Sequence, residues 1–339
     1  MGWMQKIFKT RAENWILHKL APAQIKSPLS GAPQALEPDR HYLIVRLLSM
    51  RVVNVRAGIR RFHAAVHSYA RLPHPDGSGA AEFNTLVAPK QLQDVDAERI
   101  DRVVQVNQTL FGPVPFRGGP LELEVGLFSI KSGDLTAPYL SLLESLSKTA
   151  GVSFVTQALP FAEPLKAGID LLTGSTDDSI LEIGFAAEQW EPTTGVWVSM
   201  RATTPPIVLS ELTVAGDDFR LYHRGEEIRD KPYMLIEVAG DTRRPAFFEI
   251  PDLRQTHAAL RAAIRQGKVE AVHDALAVFR RTAYTSGDLL FDDAKNLVAR
   301  TTAEVDEMLS APASVRGFRG DGADNGLDLT PLELIPLYP

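Results

Sequence analysis

The sequence contains no cysteine and no long apolar run. Without cysteine there can be no disulfide framework, no thiolate nucleophile and no cysteine-ligated zinc, which favours a reducing intracellular compartment. A membrane-spanning helix needs about 18 consecutive apolar residues, and no segment provides them. Charged and polar residues also interrupt every apolar stretch near the N-terminus, so we expect no secretory signal. These absences predict a cytoplasmic protein.

Short catalytic motifs are also missing. The sequence has no G-x-S-x-G elbow, no H-E-x-x-H motif, no P-loop and no dinucleotide-binding fingerprint. We therefore expect no cofactor and assign no catalytic residue. Because catalytic triads and glycosidase carboxylates are assembled in space, a hydrolase whose site leaves no local motif stays as the alternative function.

Two groups of residues invite a chemical interpretation. His63 and His67 lie in a segment with strand alternation, where four residues separate them by about 13 Å, too far to share one zinc ion. We expect no metal site. Glu122 and Glu124 lie on one face of a predicted strand, roughly 6 to 7 Å apart, a separation at which acid–base chemistry on sugars is conceivable. The expected outcome for this pair is a solvent-facing strand edge.

Apolar residues alternate with polar ones in several short segments bounded by Pro, Gly and Asp. In residues 121–127 four apolar side chains alternate with Glu122, Glu124 and Gly126, which predicts a half-buried strand after a Gly- and Pro-rich turn. The same period predicts strands at 42–48, 62–70, 180–189, 196–202, 219–223 and 233–239. About seven short, turn-bounded strands indicate an antiparallel β-sandwich.

Helical periodicity replaces strand alternation in two regions. Residues 134–174 predict a helical pair inserted in a β-rich domain of residues 41–250. Residues 251–311 predict a C-terminal helical subdomain, whose first helix is capped by Asp252 and ends at Gly267. The predicted fold class is therefore α+β, mainly an antiparallel β-sandwich with an inserted helical pair and a C-terminal helical subdomain.

The N-terminal segment 1–21 has the pattern of a basic amphipathic helix that ends at Pro22. Such a helix suits an anionic membrane surface or the groove of a protein partner, and it could instead pack on its own domain. Residues 22–40 contain four prolines and predict a linker, which would let the helix move or be pinned as an extended arm. The predicted contact residues are Trp3, Met4, Lys6, Ile7, Phe8, Lys9, Trp15, Ile16, Lys19 and Leu20.

Charge is unevenly distributed along the chain. The first 75 residues carry a net charge of +9 and the remainder −15, which together give the overall −6. Residues 41–75 contain arginines and no acid, so Arg51, Arg56, Arg60 and Arg61 form a candidate anion-binding patch, although the two oppositely charged parts could equally dock on each other. Because these arginines lie among apolar strand residues, nucleic-acid binding is only the third function considered.

Residues 312–339 form a tail that becomes apolar near its end. Its Gly- and Asp-rich stretch at 320–326 lacks the ligand spacing of a calcium loop. Leu332, Leu334, Ile335 and Leu337 either pack back on the body or form a peptide that adds to a partner's sheet.

These features together predict a non-catalytic adaptor or effector rather than an enzyme. The basic amphipathic helix, the Pro-rich linker, the charge split and the apolar C-terminal peptide all suit binding, and catalysis requires none of them. We expect a protein partner, or an anionic membrane surface that would make the cytoplasmic protein peripheral at the membrane.

Overall fold

The computed structural model describes residues 15–28, 35–53, 56–57, 60–73, 80–87, 104–131, 179–201 and 206–310. It is an α+β structure with mostly antiparallel sheets, as the sequence predicted. The strands are β1 (Trp15–Lys19), β2 (Tyr42–Arg51), β3 (Arg56–Ala57), β4 (Arg60–Pro73), β5 (Ala80–Val87), β6 (Val104–Pro115), β7 (Leu121–Lys131), β8 (Ser179–Trp190), β9 (Gly195–Arg201), β10 (Leu212–Ala215), β11 (Arg220–His223), β12 (Glu226–Glu227) and β13 (Tyr233–Asp241). The helices are α1 (Pro251–Gln266), α2 (Val269–Thr285) and α3 (Phe291–Ser310).

The chain forms two compact units. The first, β-rich unit comprises the described residues up to Pro38 and those within Leu43–Gly240. The second, helical unit comprises Asp39–Tyr42 and the described residues from Asp241 to Ser310. The two units divide between Gly240 and Asp241, which is ten positions before the boundary at residue 250 that the sequence predicted.

A five-stranded sheet forms the middle layer of the β-rich unit, in the order β1-β9-β13-β2-β6. One of its faces packs against an outer sheet in which β3, β4, β7 and β8 are neighbours and β5 pairs with β4. Its other face packs against the three-stranded sheet β10-β11-β12. The β-rich unit is therefore a sandwich of three layers with two apolar cores.

Strand alternation explains how one strand serves both cores. Successive side chains of a strand point to opposite faces of its sheet. Strand β9 accordingly places Val196, Val198 and Met200 in the core beside the three-stranded sheet, and Trp197 against the core beside the outer sheet. All seven predicted strands are confirmed. The predicted face of β7 is confirmed as well, because Leu121, Leu123, Val125 and Leu127 are fully buried.

Residues 112–115 belong to strand β6, although the sequence predicted that they begin a Gly- and Pro-rich turn before β7. Gly112 has φ +84°, and a Cβ at this position would lie 2.1 Å from the carbonyl oxygen of Leu43. The glycine is therefore needed for a close approach of two backbones within a strand, not for a reversal of the chain. The sharp turn is limited to Gly118 and Gly119, each with φ +90°.

Three consecutive helices follow the β-rich unit, as predicted. Gly267 has φ +71° and ends α1, which confirms its role as the C-terminal cap. The N-cap residue is Ile250, so Asp252 lies in the first turn and is not the cap; its charge there still complements the helix dipole. No described helix is long and apolar enough to cross a membrane. The helical pair predicted at 134–174 and the tail at 312–339 lie outside the described residues.

Candidate interaction surface

The predicted N-terminal helix of residues 1–21 is wrong for residues 15–19, which form a strand. Residues Trp15–Lys19 form β1, an edge strand paired antiparallel with β9. Trp15 packs against the core beside the outer sheet, Ile16 packs against the opposite core, and Leu20 is buried. These residues and Lys19 therefore belong to the body of the β-rich unit. Of the predicted contact residues, Trp3, Met4, Lys6, Ile7, Phe8 and Lys9 lie outside the described residues.

Residues 22–28, the first described stretch of the Pro-rich segment, begin with a 3-10 turn at Pro22–Gln24 and are held against the β-rich unit, so this stretch is not a free linker. The Lys26 N–H donates a 2.8 Å hydrogen bond to the carbonyl oxygen of Val214. Ser27 Oγ donates to the carbonyl oxygen of Gly216 at 2.7 Å. The side-chain amide of Gln24 donates to two further carbonyls near β10. Residues 22–27 are thus pinned to the three-stranded sheet, which is one of the two arrangements that the sequence allowed.

Arg51 is not part of an exposed anion-binding patch. Its side chain is 1% exposed, its Nη1 donates to Glu227 Oε1 at 3.2 Å, and its Nε donates to the carbonyl oxygen of Arg229 at 3.1 Å. Glu227 also binds Arg220 and Arg229. Burial opposes ionisation of Glu227, but the hydrogen bond from Arg229 and the charges of the three arginines hold its pKa below the ordinary value. Arg51 therefore pairs with a carboxylate from the acidic part of the same chain. This is the alternative that the uneven charge distribution left open, in which the two oppositely charged parts dock on each other.

The other predicted arginines lie in the outer sheet, whereas Arg51 ends strand β2 of the middle sheet. Arg56 lies directly opposite Arg61 in the β3–β4 pair, and Arg60 lies opposite Ala57. Two like charges at opposite register positions destabilise a strand pair unless an anion or a carboxylate compensates them. Anion binding at Arg56, Arg60 and Arg61 stays a prediction, without Arg51. The predicted partner peptide of Leu332, Leu334, Ile335 and Leu337 lies outside the described residues.

Glu122 and Glu124, the predicted carboxylate pair, differ in exposure and in their partners. Glu122 accepts a 2.7 Å hydrogen bond from Arg71 Nη1, and Arg71 also binds Glu82. Glu124 is only 7% exposed, so the expectation that both carboxylates face solvent is wrong for Glu124. Burial and the nearby carboxylates of Glu82 and Glu122 raise the pKa of Tyr69 to about 12. This face of β7 carries ion pairs across the strands.

The histidines lie on a strand, as predicted. His63 and His67 both belong to β4, and His67 is fully buried. Burial lowers the pKa of His67 to about 3, so the ring is neutral at physiological pH. Within the described part of the chain, no group of three or more possible ligand side chains is placed to hold a metal ion.

A buried polar cluster lies inside the helical unit. Asp293 Oδ2 accepts hydrogen bonds from Tyr42 Oη and from the Arg244 N–H, and Arg244 Nη1 donates to the carbonyl oxygen of Asp288 at 3.2 Å. Burial, and secondly the charge of Asp293, raise the pKa of Tyr42. Burial lowers the pKa of Arg244 despite the neighbouring carboxylates. Because all four side chains are almost fully buried, the cluster stabilises the unit and offers no access to a substrate.

The most exposed apolar side chains of the helical unit include Tyr284 and Phe291, which carry no recognisable motif in the sequence. Phe291 is 68% exposed, and its ring centroid lies 6.0 Å from that of Tyr284, which is 44% exposed. Val278 on α2 is 55% exposed. With the exposed Arg280 and Arg281, these three residues define what we call the α2–α3 surface.

Helical spacing places these residues on one side of α2. Val278, Arg281 and Tyr284 follow one another at steps of three positions, and Ala277 precedes Arg281 by four, so these four residues share a face about one third of the helix wide. A third cation, the exposed Lys295, follows Phe291 by one turn of α3. The signal in the sequence was an apolar or aromatic residue at positions opposite the buried stripe of Val272, Leu276 and Phe279.

Comparison with known proteins gives no further assignment. No protein-family model matches the chain, and no curated protein is similar to it at a significant level. A functional conclusion therefore rests on the residues themselves.

Proposed function

We propose that the protein is a non-catalytic adaptor or effector, and that it binds a protein partner on the α2–α3 surface. The observation that carries the proposal is the solvent-exposed contact between Tyr284 and Phe291, with Arg280 and Arg281 at its border. Tyrosine and arginine are enriched among the residues that dominate binding energy at protein interfaces. Exposed apolar side chains that cluster beside charged ones are typical of such interfaces.

The charges of the surface specify the chemistry of the partner. Arg280, Arg281 and Lys295 lie near two exposed carboxylates, that of Asp292 and that of Asp274, which precedes Val278 by one turn of α2, so the surface carries a net positive charge. A partner segment that carries acidic side chains beside apolar ones would pair with the cations and cover the aromatic rings. The occupant we propose is therefore an acidic, apolar segment of another protein.

Site-specific cross-linking tests this proposal. A photoreactive phenylalanine placed at Phe291 is irradiated in cells that express the protein, and the same residue at the exposed position Ala258 on α1 is the control. We expect Phe291 to be joined to a partner peptide that is acidic and apolar, and Arg281→Glu to reduce the yield at least fivefold. Arg265→Glu, a charge reversal at an exposed site of α1, should leave the yield unchanged. Equal cross-linking from both positions, or yields insensitive to Arg281→Glu, would contradict the proposal.

We propose a second contact for residues 1–14, which precede the edge strand β1. The segment retains Trp3, Met4, Ile7 and Phe8 together with three basic residues and one acid. Since Trp15–Lys19 is held in the sheet, only these fourteen residues are left to engage an anionic membrane as the sequence suggested.

Liposome co-sedimentation tests the second contact separately. The full chain is expected to bind anionic vesicles and to be released by salt, while Lys6→Gln with Lys9→Gln should weaken binding. Lys26→Gln is the matched control, because Lys26 lies in the pinned arm. Sedimentation that is equal for all three proteins, or equal with neutral vesicles, would show that this segment is not a membrane contact. Neither outcome bears on the α2–α3 surface.

A further inference from the structure

The chain itself contains a segment with the chemistry expected of the partner of the α2–α3 surface. Residues 327–337 read LDLTPLELIPL, in which Asp328 and Glu333 lie among leucines and an isoleucine. From Gly320 to Pro339 the sequence contains four acids and no lysine, arginine or histidine. The occupant proposed above is an acidic, apolar segment. Residues 327–337, which we call the acidic-apolar segment, therefore match that description from within the same molecule.

The charges of the surface and of the segment are complementary. Three exposed cations and two exposed carboxylates lie on or beside the α2–α3 surface: Arg280, Arg281, Lys295, Asp274 and Asp292. The surface therefore has a net charge of 3 − 2 = +1, and the acidic-apolar segment has a charge of −2. The cations come from both helices, so they lie on either side of the contact between Tyr284 and Phe291. Complementary charges of this kind select the partner and its orientation.

Exposed apolar side chains give the segment a place to bind. Phe291 is 68% exposed and Val278 is 55% exposed, and the Phe291 and Tyr284 ring centroids are 6.0 Å apart. A group of large apolar side chains at a protein surface marks a place that another segment or protein covers. The leucines of the acidic-apolar segment supply that cover, and burial of apolar area is the main favourable contribution to such a contact.

The acidic-apolar segment is connected closely enough to reach the surface. Phe291 is the first and Ser310 the last of the 20 residues of α3, so about 28 Å of helix axis separates them. Residues 311–326 connect Ser310 to Leu327, and a chain of that length extends to at most about 55 Å. The connection is therefore long enough to return along α3. A tethered segment has an effective concentration in the millimolar range, so even a weak contact would fill the surface.

We propose that residues 327–337 of the same molecule occupy the α2–α3 surface in the free protein and leave it when a protein partner binds. The inference rests on the proposed function of that surface, because it names the segment that competes with the partner there. The apparent affinity for the partner then falls in proportion to the fraction of molecules whose surface is open. The segment is thus an intramolecular inhibitor of the adaptor.

Photo-cross-linking of the purified full-length protein tests the contact without any partner. A photoreactive phenylalanine is placed at Phe291, isotopically labelled and unlabelled protein are mixed, and cross-linked peptides are identified by mass spectrometry. We expect Phe291 to be joined to residues 327–337 of the same isotopic form. Asp328→Lys with Glu333→Lys should lower the yield at least about threefold, because two attractive charge pairs become repulsive. Asp321→Lys with Asp324→Lys, the same charge change ahead of the segment, should alter it by less than about twofold.

A charge exchange tests the pairing directly. Arg281→Glu should lower the yield of the cross-link to the segment, and adding Asp328→Lys and Glu333→Lys to it should restore part of the loss. No cross-link to residues 327–337, equal effects of the two tail variants, or no restoration would overturn the inference. Cross-links that join labelled to unlabelled molecules would also overturn it, because they would assign the surface to a second copy.

The experiment in cells separates this inference from the proposed function. Asp328→Lys with Glu333→Lys should raise the yield of partner cross-links from Phe291 at least about twofold, since a competitor that occupies half of the molecules halves the open fraction. Partner capture without any cross-link to the segment would refute the inference and leave the proposed function standing. A cross-link to the segment without a partner in cells would support the intramolecular contact and contradict the proposed function.

Discussion

Tyr42 Oη donates a 2.7 Å hydrogen bond to Asp293 Oδ2, although 251 positions separate the two residues in the sequence. The same hydroxyl accepts a hydrogen bond from the Leu290 N–H at 2.9 Å. Tyr42 therefore links a short segment of residues 39–42 to the start of α3 within the helical unit.

The Tyr42→Phe variant should lower the free energy of unfolding by about 1 to 3 kcal/mol. The ring would still fill its place, but the buried Leu290 N–H would lose its acceptor. Urea unfolding measures the change. Tyr284→Phe is the control, since this hydroxyl belongs to an exposed side chain, and it should cost less than about 0.5 kcal/mol. Equal effects of the two changes would mean that the Tyr42 hydrogen bonds do not contribute.

Removal of residues 1–14 should leave the melting temperature almost unchanged, whereas removal of residues 1–20 should lower it strongly. The longer deletion takes away strand β1 and the buried Leu20 side chain. The point variant Leu20→Ala, which keeps the strand, should cost about 2 to 4 kcal/mol. Calorimetry on the three proteins checks this. A similar melting temperature for both deletions would show that β1 is dispensable to the sheet.

Arg51→Met should destabilise the protein by about 3 kcal/mol, because the change breaks a buried ion pair and leaves the Arg229 carbonyl oxygen without its donor. Arg220→Met is the matched control on the same Glu227, and its side chain is 29% exposed, so we expect about 1 kcal/mol or less. Chemical unfolding is the measurement. If Arg51→Met left stability unchanged and abolished phosphate binding, the original anion-binding assignment of Arg51 would be restored.

Gly112→Ala should destabilise the protein by more than about 3 kcal/mol. The added Cβ would meet the Leu43 carbonyl oxygen at 2.1 Å, and the residue would also have to hold a positive φ. Gly225→Ala separates the two effects, since Gly225 has a similar φ of +85° but no atom within 4 Å of the new Cβ. That control should cost only about 1 to 2 kcal/mol. Similar losses in the two variants would count against the close contact.

Stability should fall with decreasing pH because of His67. Its pKa is about 3 in the folded protein and near 6.5 in the unfolded chain, so between these values only the unfolded chain binds the proton. The free energy of unfolding therefore decreases as the pH falls from about 6.5 towards about 3, by at most about 1.4 kcal/mol per pH unit.

The His67→Leu variant should show a shallower pH dependence over this window, measured by urea unfolding at several pH values. Val66→Ala, a neighbouring core change without a titratable group, should lower stability and keep the slope of the wild type. Parallel slopes for His67→Leu and the wild type would contradict the assignment.

Local alternation predicted the strands of the two cores because each of those strands has distinct faces. The sequence predicts a helix at β1 because Trp15, Ile16 and Leu20 also fit a 3.6-residue period. Pairing with β9 makes the segment a strand, and β9 is remote in sequence. In β6 the glycine and prolines of 112–115 mimic a turn, and only the approach of Leu43 explains Gly112.

The candidate sites were less predictable than the fold. Arg51 looks exposed in a basic stretch, yet its carboxylate partner Glu227 lies on a distant strand. Tyr284 and Phe291 belong to different helices, and their contact forms only when α2 and α3 pack together. Such sites depend on tertiary packing that a single sequence does not display.

The middle sheet also constrains when the protein can fold during its synthesis. Its edge strand β1 comes from the start of the chain, but the partner β9 and the next strand β13 are made only after residue 195. Contacts between such remote segments slow folding, because a long loop must close before they form. We expect the apolar faces of β1 and β2 to stay uncovered until β9 and β13 have been made.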